Sequence, residues 1–468
     1  MLVQLLDLKK IIILSILAAI TAAVFLFNIY VLPAIILAVF VSLRFGIRNV
    51  VIVFTIITYF LVTSDLNEEL RSIINIFNLG LLAFIFIYYE GINIETLETL
   101  PRGFKLFIVT VFISFLFSSI QSDFFTISIA AFIRQVLFFL ICFIYYSFLK
   151  AKQDYYLVIY TIVLISVILG IGIMYQLFTK GIGVYYLESM DAIRFSGLYN
   201  NPNAVGLFLV IALPLLFSFF FNGKISDSTA KKLVFSGLSL FMLFCLIITN
   251  SRASIIAVLI SLAYMLYIFK RKLLVKILSG ILAVCLIVFL FPFVQEYFLF
   301  YIRADRVFSN TRTYFWSIAF DIITNNPVFG VGPGVFEEYI YKYLPVSLGS
   351  FFEHQMDMAR SGTAHNFFLF RTADLGLLGL ITSIWLFVIF FRYAKTAAQY
   401  FKTRDPEYFI ILTTIQSIGI GLLIRAFFES TGIMTHGWIT RDLPFWLMFI
   451  IMLFMYQKTT KAESKDER

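Results

Sequence analysis

Three segments of the chain carry an arginine or a histidine at, or shortly before, the start of an apolar run. The residues are Arg194, Arg252 and His365. Arginine stays charged and holds phosphate oxygens through two N–H groups at once, and histidine exchanges a proton near neutral pH. The three residues therefore predict a site that binds a phosphate group and removes a proton. The alternatives are an arginine anchored at a membrane surface and a histidine that only caps a helix.

The local sequence predicts that each of these segments begins a helix. Asn201 suits the N-cap position and Pro202 suits the first helical turn. Arg252 falls in the first turn of a later run, where a cation opposes the helix dipole unless an anion is present. Asn366 follows His365 at the start of a third run. Because helix N-termini expose free N–H groups, these starts favour binding of an anion, phosphate above all.

Four further charged residues accompany these segments. Arg312 adds positive charge to a long loop or belongs to its solvated surface. Asp374 follows His365 by nine residues, about two and a half helical turns, so it is predicted to lie on another face and to serve packing or a polar interior. Arg425 and Glu429 are four residues apart, which predicts an ion pair within one helix.

Motifs for nucleotides and metals are missing from the sequence. It contains no GxxxxGK[ST] loop, no HExxH, no paired-cysteine motif and no Asp-x-Asp. We therefore expect neither a metal nor a cofactor. Cys142, Cys245 and Cys285 lie inside apolar runs, which argues against a disulfide framework. The cluster Gly330–Gly334 predicts a turn.

The composition places these residues in a membrane protein. Of the 468 residues, 61% are hydrophobic and only 13% are charged, and the mean hydropathy is +0.95. Soluble domains carry about twice as much charge, so a soluble fold and a disordered chain are both excluded. The net charge of +9 fits cytoplasmic loops that face anionic lipid. We therefore predict an all-α polytopic membrane protein with membrane lipids, and no nucleic acid, among its partners.

Apolar runs that could cross a bilayer recur along the whole sequence. A spanning helix needs about 20 mostly apolar residues. Fourteen candidate spans cover residues 9–27, 29–43, 47–63, 73–89, 104–120, 126–149, 155–179, 203–221, 232–249, 252–269, 273–294, 365–391, 407–428 and 442–457. They predict one membrane domain over residues 1–468.

The distribution of basic residues predicts the orientation. With a cytoplasmic N-terminus, 23 of the 36 lysines and arginines fall in cytoplasmic segments and five in short outer segments. This ratio follows the positive-inside rule and predicts that both termini are cytoplasmic. Residues 295–364 then form one large extracytoplasmic loop, in which an apolar stretch from Thr311, stopped by Pro327, predicts a short interfacial helix. Arg134 lies within a span, and the sequence identifies no partner for it.

Four sequence elements resemble a known family when they are taken in order. They lie within residues 190–385 and comprise Arg194, Gly197 and Asn201-Pro202-Asn203, then Ser251-Arg252-Ala253, then Arg312, Trp316, Pro327 and Gly330-Val331-Gly332, then His365-Asn366, Asp374-Leu375-Gly376 and Gly379. With these elements the chain resembles the bacterial O-antigen ligase and O-antigen polymerase family of polytopic membrane glycosyltransferases. The first half of the chain matches that family only in its general hydrophobic character.

The resemblance implies a GT-C-like helical fold and a metal-independent glycosyltransferase, and together with the fourteen candidate spans it leads us to expect about 12–14 membrane helices. A single displacement at the sugar carbon would invert its configuration. The donor would be a glycan on a polyprenyl (undecaprenyl) diphosphate carrier, and the acceptor a hydroxyl of a saccharide or lipid-anchored saccharide. Arg194, Arg252 and Arg312 would hold the diphosphate, and His365 would activate the acceptor. Asp374 stands where the family usually has Glu.

The family likeness also implies a place in the bacterial cytoplasmic membrane with an extracytoplasmic active site. The residues with supporting roles would be Asn201, Asn203, Asn366 and Asp374. We expect Arg194, Arg252 and His365 to surround one outward cavity. Ligase and polymerase remain alternatives, because they differ in an acceptor that no motif specifies.

Two other functions remain possible from the sequence. A transporter or flippase of lipid-linked oligosaccharide would also use basic residues, but along a path through the middle of the bilayer. A structural partner of a polysaccharide complex would carry out no chemistry. Most of the basic candidates are predicted at the outer membrane edge, which favours the enzyme.

Overall fold

The computed structural model describes residues 47–62, 68–90, 98–180, 194–199, 201–222, 228–301, 310–343 and 362–466. Every regular element within these ranges is a helix, which confirms the predicted all-α class. The two most N-terminal predicted spans, 9–27 and 29–43, lie outside the described residues, as does part of the predicted loop 295–364.

Fifteen α-helices and one π-helix make up the described part of the chain. The first eight α-helices are α1 (Ile47–Ile57, continued by the π-helix Thr58–Val62), α2 (Glu68–Glu90), α3 (Arg102–Ile120), α4 (Phe125–Phe148), α5 (Lys152–Lys180), α6 (Pro202–Ser218), α7 (Thr229–Thr249) and α8 (Arg252–Phe269). The remaining seven are α9 (Arg271–Leu290), α10 (Pro292–Tyr301), α11 (Asn310–Asn325), α12 (Phe336–Tyr343), α13 (Phe367–Arg404), α14 (Pro406–Ala426) and α15 (Ile439–Asp466).

Nine of the described helices are long and apolar enough to cross a membrane: α3, α4, α5, α7, α8, α9, α13, α14 and α15. Shorter apolar helices occur in the regions of α1, α2 and α6. Together these regions match the twelve predicted spans that begin at residue 47 or later, which confirms a polytopic membrane protein. Helix α13 continues to Arg404, past the predicted end at residue 391. Its extension is amphipathic, because Tyr393, Ala397 and Phe401 are buried at helical spacing while the charged side is exposed.

The centre of the described helices is formed around α6, which packs against α5, α7, α8 and α14. Almost all of α6 is buried. Gly206 allows α8 to approach closely, since a Cβ added there would lie 2.5 Å from the Oγ atom of Ser254. Small residues commonly permit such contacts between membrane helices. In contrast, α9 has no buried residue, and its apolar surface is of the kind that lipid covers.

Helix α13 is interrupted by Gly376, whose φ of 63° and ψ of −152° are not helical. The interruption frees backbone groups that the Gly330–Gly334 turn then binds. The N–H groups of Val331 and Gly332 donate to the carbonyls of Ala373 and Asp374 at 3.0 and 2.9 Å. The sequence predicted this turn but did not predict that it docks on a broken helix.

Replacing Gly376 with alanine is expected to destabilise the protein by at least about 2 kcal/mol, because an L side chain is strained at this φ. An added Cβ would also overlap the carbonyl of Val328. Thermal unfolding in detergent measures the effect. Gly280→Ala is the matched control, since nothing lies within 4 Å of a Cβ at Gly280. Equal midpoints for the two variants would show that the break in α13 is not required.

The helix ends opposite the α13 N-terminus form a separate charged layer. Lys152 at the start of α5 lies 3.0 Å from Asp405 and 2.9 Å from Glu407 at the start of α14. Lys458 near the end of α15 donates to the hydroxyl of Tyr408 at 3.1 Å. The structure therefore brings together lysines that the charge count assigned to one side of the membrane.

Candidate active site

A buried carboxylate, Glu429, connects three of the predicted site segments. It lies in the connection between α14 and α15 and is 4% exposed. Its Oε1 accepts from Asn203 Nδ2 at 2.7 Å and from Arg312 Nη2 at 3.3 Å. Its Oε2 lies 3.5 Å from Nδ1 of His365. One side chain thus joins the starts of α6, α11 and α13.

Arg194 reaches the same group through Asn203. Its Nη2 donates to Asn203 Oδ1 at 2.7 Å, and its Nε donates to the carbonyl of Thr249 at 3.4 Å. The segment behind it is anchored by Gln176, whose Oε1 accepts the backbone N–H of Gly197 at 2.8 Å. Asn203 therefore bridges an arginine and a carboxylate with the two ends of one amide.

The start of α6 is fixed by two further contacts. Asn201 is the N-cap, as predicted, and its Oδ1 accepts the N–H of Asn203 at 2.8 Å. Arg425 Nη2 donates to the carbonyl of Asn203 at 3.1 Å, and Arg425 Nη1 donates to the carbonyl of Thr431 at 2.6 Å. These bonds hold Asn203 between Arg194 and Glu429.

The predicted side-chain ion pair between Arg425 and Glu429 is wrong. Helix α14 ends at Ala426, so Glu429 lies beyond the helix; the two charges still attract each other, but the guanidinium does not bind the carboxylate within one helix. Arg425 binds backbone carbonyls instead. Glu429 is thereby left to contact the residues of the other segments.

Arg252 is the first residue of α8, as the sequence predicted, and it is half-buried. Beside it, the hydroxyl of Ser251 donates to that of Ser254 at 3.0 Å. Thr249, whose carbonyl accepts from Arg194, lies three residues earlier. Arg252 therefore lies close in sequence to the Arg194 contact and on a helix start that packs against α6.

His365 and Asn366 tie α13 to the connection that carries Glu429. The backbone of His365 is left-handed, with φ of 50°. Asn366 caps α13 by accepting the N–H of Leu369 at 3.0 Å. Its own N–H donates to Ser430 Oγ at 3.0 Å, and its Nδ2 donates to the carbonyl of Phe427 at 3.2 Å. Asn366 thus sets the position of His365 relative to Glu429.

Glu429 is held as a carboxylate by its neighbours. Burial raises the pKa of Glu429. The contact with His365 and the charges of Arg425 and Arg312 lower it by more than burial raises it, to about 2. The group is therefore ionised over the whole physiological range. A carboxylate beside Nδ1 favours the proton on that nitrogen, which leaves Nε2 of His365 with a lone pair.

Asp374 lies in a different cluster from His365, in agreement with its predicted face. Its Oδ2 lies 2.6 Å from His436 Nε2 and accepts the N–H of Gly334 at 2.9 Å. A Cβ added at Gly334 would lie 3.8 Å from Arg134 Nη2, and the Arg371 guanidinium lies over the ring of Phe115. Burial lowers the pKa of His436, while Asp374 opposes that shift. The surroundings of Arg134, which the sequence did not identify, include this cluster.

The structure joins Arg194, Arg312 and His365 through Asn203 and Glu429. Sequence reasoning missed Glu429, which it assigned to an ion pair within a helix. The available signal was an acidic residue predicted at the same membrane edge as three arginines. Such a group attracts cationic partners when it is buried.

A comparison with known protein families gives a match to part of the chain. A family model described as O-antigen ligase matches residues 237–384, roughly a third of the chain. The matched residues include Arg252, Arg312 and His365, while Arg194 precedes them and Glu429 follows them. No curated protein matches the chain. The match agrees with the resemblance of the sequence elements and supports an O-antigen ligase family assignment through residues 237–384.

Proposed function

We propose that this protein is a membrane glycosyltransferase of cell-surface polysaccharide assembly. It transfers a glycan from a polyprenyl diphosphate carrier to the hydroxyl of a saccharide or lipid-anchored saccharide, on the extracytoplasmic side of the bacterial cytoplasmic membrane. The reaction is metal-independent and inverts the anomeric carbon. The family match supports a membrane enzyme of O-antigen or polysaccharide assembly, and the contacts of Glu429 support the chemistry.

The observation that carries the proposal is the Glu429 cluster at helix starts. Arg312 and His365 contact the two carboxylate oxygens, and Arg194 is linked through Asn203. Free N–H groups at the starts of α6, α8 and α13 add positive potential at these positions. A base therefore lies beside groups that stabilise a phosphate leaving group.

In the proposed reaction, His365 removes the proton from the acceptor hydroxyl through Nε2. The contact between Nδ1 and Glu429 orients the imidazole and stabilises the cation that forms, as a carboxylate does for histidine in hydrolases. The acceptor oxygen then bonds to the anomeric carbon as the bond from that carbon to the diphosphate oxygen breaks. The electron pair of the broken bond remains on the diphosphate.

The arginines stabilise the departing diphosphate. Guanidinium groups hold phosphate oxygens bidentately without any change in their own protonation, and pre-placed charges act where negative charge develops. Glu429 has a second effect, because it balances the arginine charge when no donor is bound. Inversion follows from the single displacement.

Replacing Arg252 with lysine is expected to raise the KM for the lipid diphosphate donor about tenfold or more, because one ammonium cannot reproduce the bidentate contact. Steady-state transfer by the purified protein, with varied donor, measures the change. The matched control is Arg271→Lys, since Arg271 is the first residue of α9 as Arg252 is of α8. Unchanged donor kinetics in Arg252→Lys would remove this residue from the diphosphate site.

A transporter of lipid-linked oligosaccharide is the second candidate, and one observation favours it. Arg371 is fully buried within α13 and lies in the same cluster as Asp374 and His436. Charged groups inside spans often mark a transport path. Purified protein in vesicles, given lipid-linked oligosaccharide and acceptor, distinguishes the two functions. A new glycosidic product supports the enzyme, whereas movement of the donor between leaflets without product supports the transporter.

A further inference from the structure

Helices α3, α4 and α15 enclose an apolar groove of about 350 Å³. Its walls include Phe104, Ile108, Phe112, Phe139 and Trp446. Phe104 and Phe112 are eight residues apart on α3, a rise of about 12 Å. We call this cavity the α3/α4/α15 groove, and it is long and narrow enough for part of a hydrocarbon chain.

The groove opens towards the surroundings of the protein. Val136 and Leu140 of α4 line it and are 38% and 45% exposed. Leu106, Val109 and Ile113, on the faces of α3 that do not line the groove, are also exposed. Such surfaces face lipid hydrocarbon in a membrane. Because an apolar cavity does not hold water well, an acyl chain is the chemistry that fills this groove.

One end of the groove is positively charged. Leu100 and Phe104 form that end, and the exposed side chains of Arg102 and Lys105 lie in the first turn of α3. The Nζ of Lys105 donates to the carbonyl of Glu98 at 3.1 Å, and both cations oppose the helix dipole unless an anion balances them. The hydroxyls of Thr99 and Tyr146 meet at 3.2 Å at the same end.

The charged end lies away from the proposed active site. The other end of α3 contacts α13, where Ser118 Oγ donates to the carbonyl of Asp374 at 2.7 Å. The charge count predicts that the Arg102 end is cytoplasmic, and anionic lipids carry the negative surface potential of the cytoplasmic leaflet. A donor with its diphosphate near Glu429 would place its charge at the wrong end for this groove.

We propose that the α3/α4/α15 groove binds one acyl chain of an anionic phospholipid, with the lipid phosphate on Arg102 and Lys105. An acyl chain gains little free energy from the hydrophobic effect when it moves from the surrounding lipid into the groove, because both are apolar. Selectivity therefore comes from the two cations and from the shape of the groove. The bound lipid joins three spans that the transferase chemistry does not use.

Trp446 supplies a built-in reporter for this proposal, because it lines the groove and is one of only four tryptophans. The protein is reconstituted in phosphatidylcholine vesicles that contain phosphatidylglycerol or phosphatidylcholine with brominated acyl chains, which quench nearby tryptophan. The fluorescence difference between the wild type and Trp446→Phe isolates the groove signal. We expect half-quenching at a roughly 30-fold lower fraction of the anionic lipid, from about 1 kcal/mol for each of two cations.

The variant Arg102→Gln/Lys105→Gln is expected to lose this preference. Lys395→Gln/Lys402→Gln removes the same charge from exposed positions of α13 and is expected to retain it. Size-exclusion chromatography checks that each variant stays folded. Equal quenching by the two lipids in the wild type would overturn the proposal. Relief of quenching by undecaprenyl diphosphate would instead assign the groove to the donor tail, and this outcome also overturns it.

Discussion

Replacing His365 with alanine is expected to lower the rate of glycan transfer by a factor of ~10²–10⁴, the usual contribution of a positioned general base. The acceptor hydroxyl then loses the group that removes its proton. Binding of the lipid diphosphate donor is expected to change little, because the arginines remain. Transfer by purified protein in detergent measures the rate, and donor binding is measured separately.

Added imidazole distinguishes a chemical role of His365 from a structural one. A small free base that enters the vacated space is expected to restore part of the activity of His365→Ala, in proportion to its unprotonated fraction. The same addition leaves the wild type unchanged. Full transfer activity in His365→Ala without imidazole would remove His365 from the mechanism, whatever its distance from Glu429.

Replacing Glu429 with glutamine is expected to reduce transfer by ~10²-fold or more. An amide can donate to Nδ1 of His365 and so place the imidazole proton on Nε2, where the base is needed; the wrong tautomer is costly in comparable sites. Glutamine also loses the charge that attracts Arg312. The measurement is kcat with saturating donor and acceptor.

The pH dependence of stability gives an independent check on Glu429. Its pKa is about 2 in the folded protein and close to 4.5 when unfolded. Its ionised form therefore stabilises the fold fully above about pH 4.5, and this contribution is lost as the pH falls towards 2. We expect Glu429→Gln to have a lower thermal midpoint than the wild type at pH 7, with a difference that shrinks in acid.

The matched control for both measurements is Glu407→Gln. Glu407 is also a paired carboxylate, 2.9 Å from Lys152, but it lies at the opposite end of α14. We expect this variant to transfer glycan at the wild-type rate. A loss of activity equal to that of Glu429→Gln would mean that the helix assembly, and not the imidazole contact, limits the rate.

Much of the fold was predictable because membrane helices follow from local composition. The run 252–269 was predicted with the bounds that α8 has, since Arg252 and Lys270 mark its ends. The end of α13 was not predictable from hydropathy. Residues 392–404 are helical through tertiary packing of one face, including Tyr393 and Phe401, and a search for continuous apolar runs does not detect that pattern.

The residues of the candidate site were predictable only where the neighbouring sequence explains the residue type. Asn201 was recognisable as a cap, and Arg252 as a cation in conflict with a dipole. The role of Glu429 depends on Asn203 and His365, which are distant in sequence. The pairing of Asp374 with His436 depends in the same way on a contact between α13 and the connection from α14 to α15. Sequence spacing carries no information on such contacts.

The break at Gly376 also determines how long the first part of α13 can be. The Gly330–Gly334 turn binds the backbone of α13 at Ala373 and Asp374. His365 lies just before the start of the same helix. Each residue of an α-helix adds about 1.5 Å of rise and about 100° of rotation. Deletion or insertion of one residue between His365 and Ala373 would therefore rotate the imidazole by about 100° around the axis of α13. We therefore expect the segment from Phe367 to Leu375 to tolerate substitutions but not an insertion or a deletion.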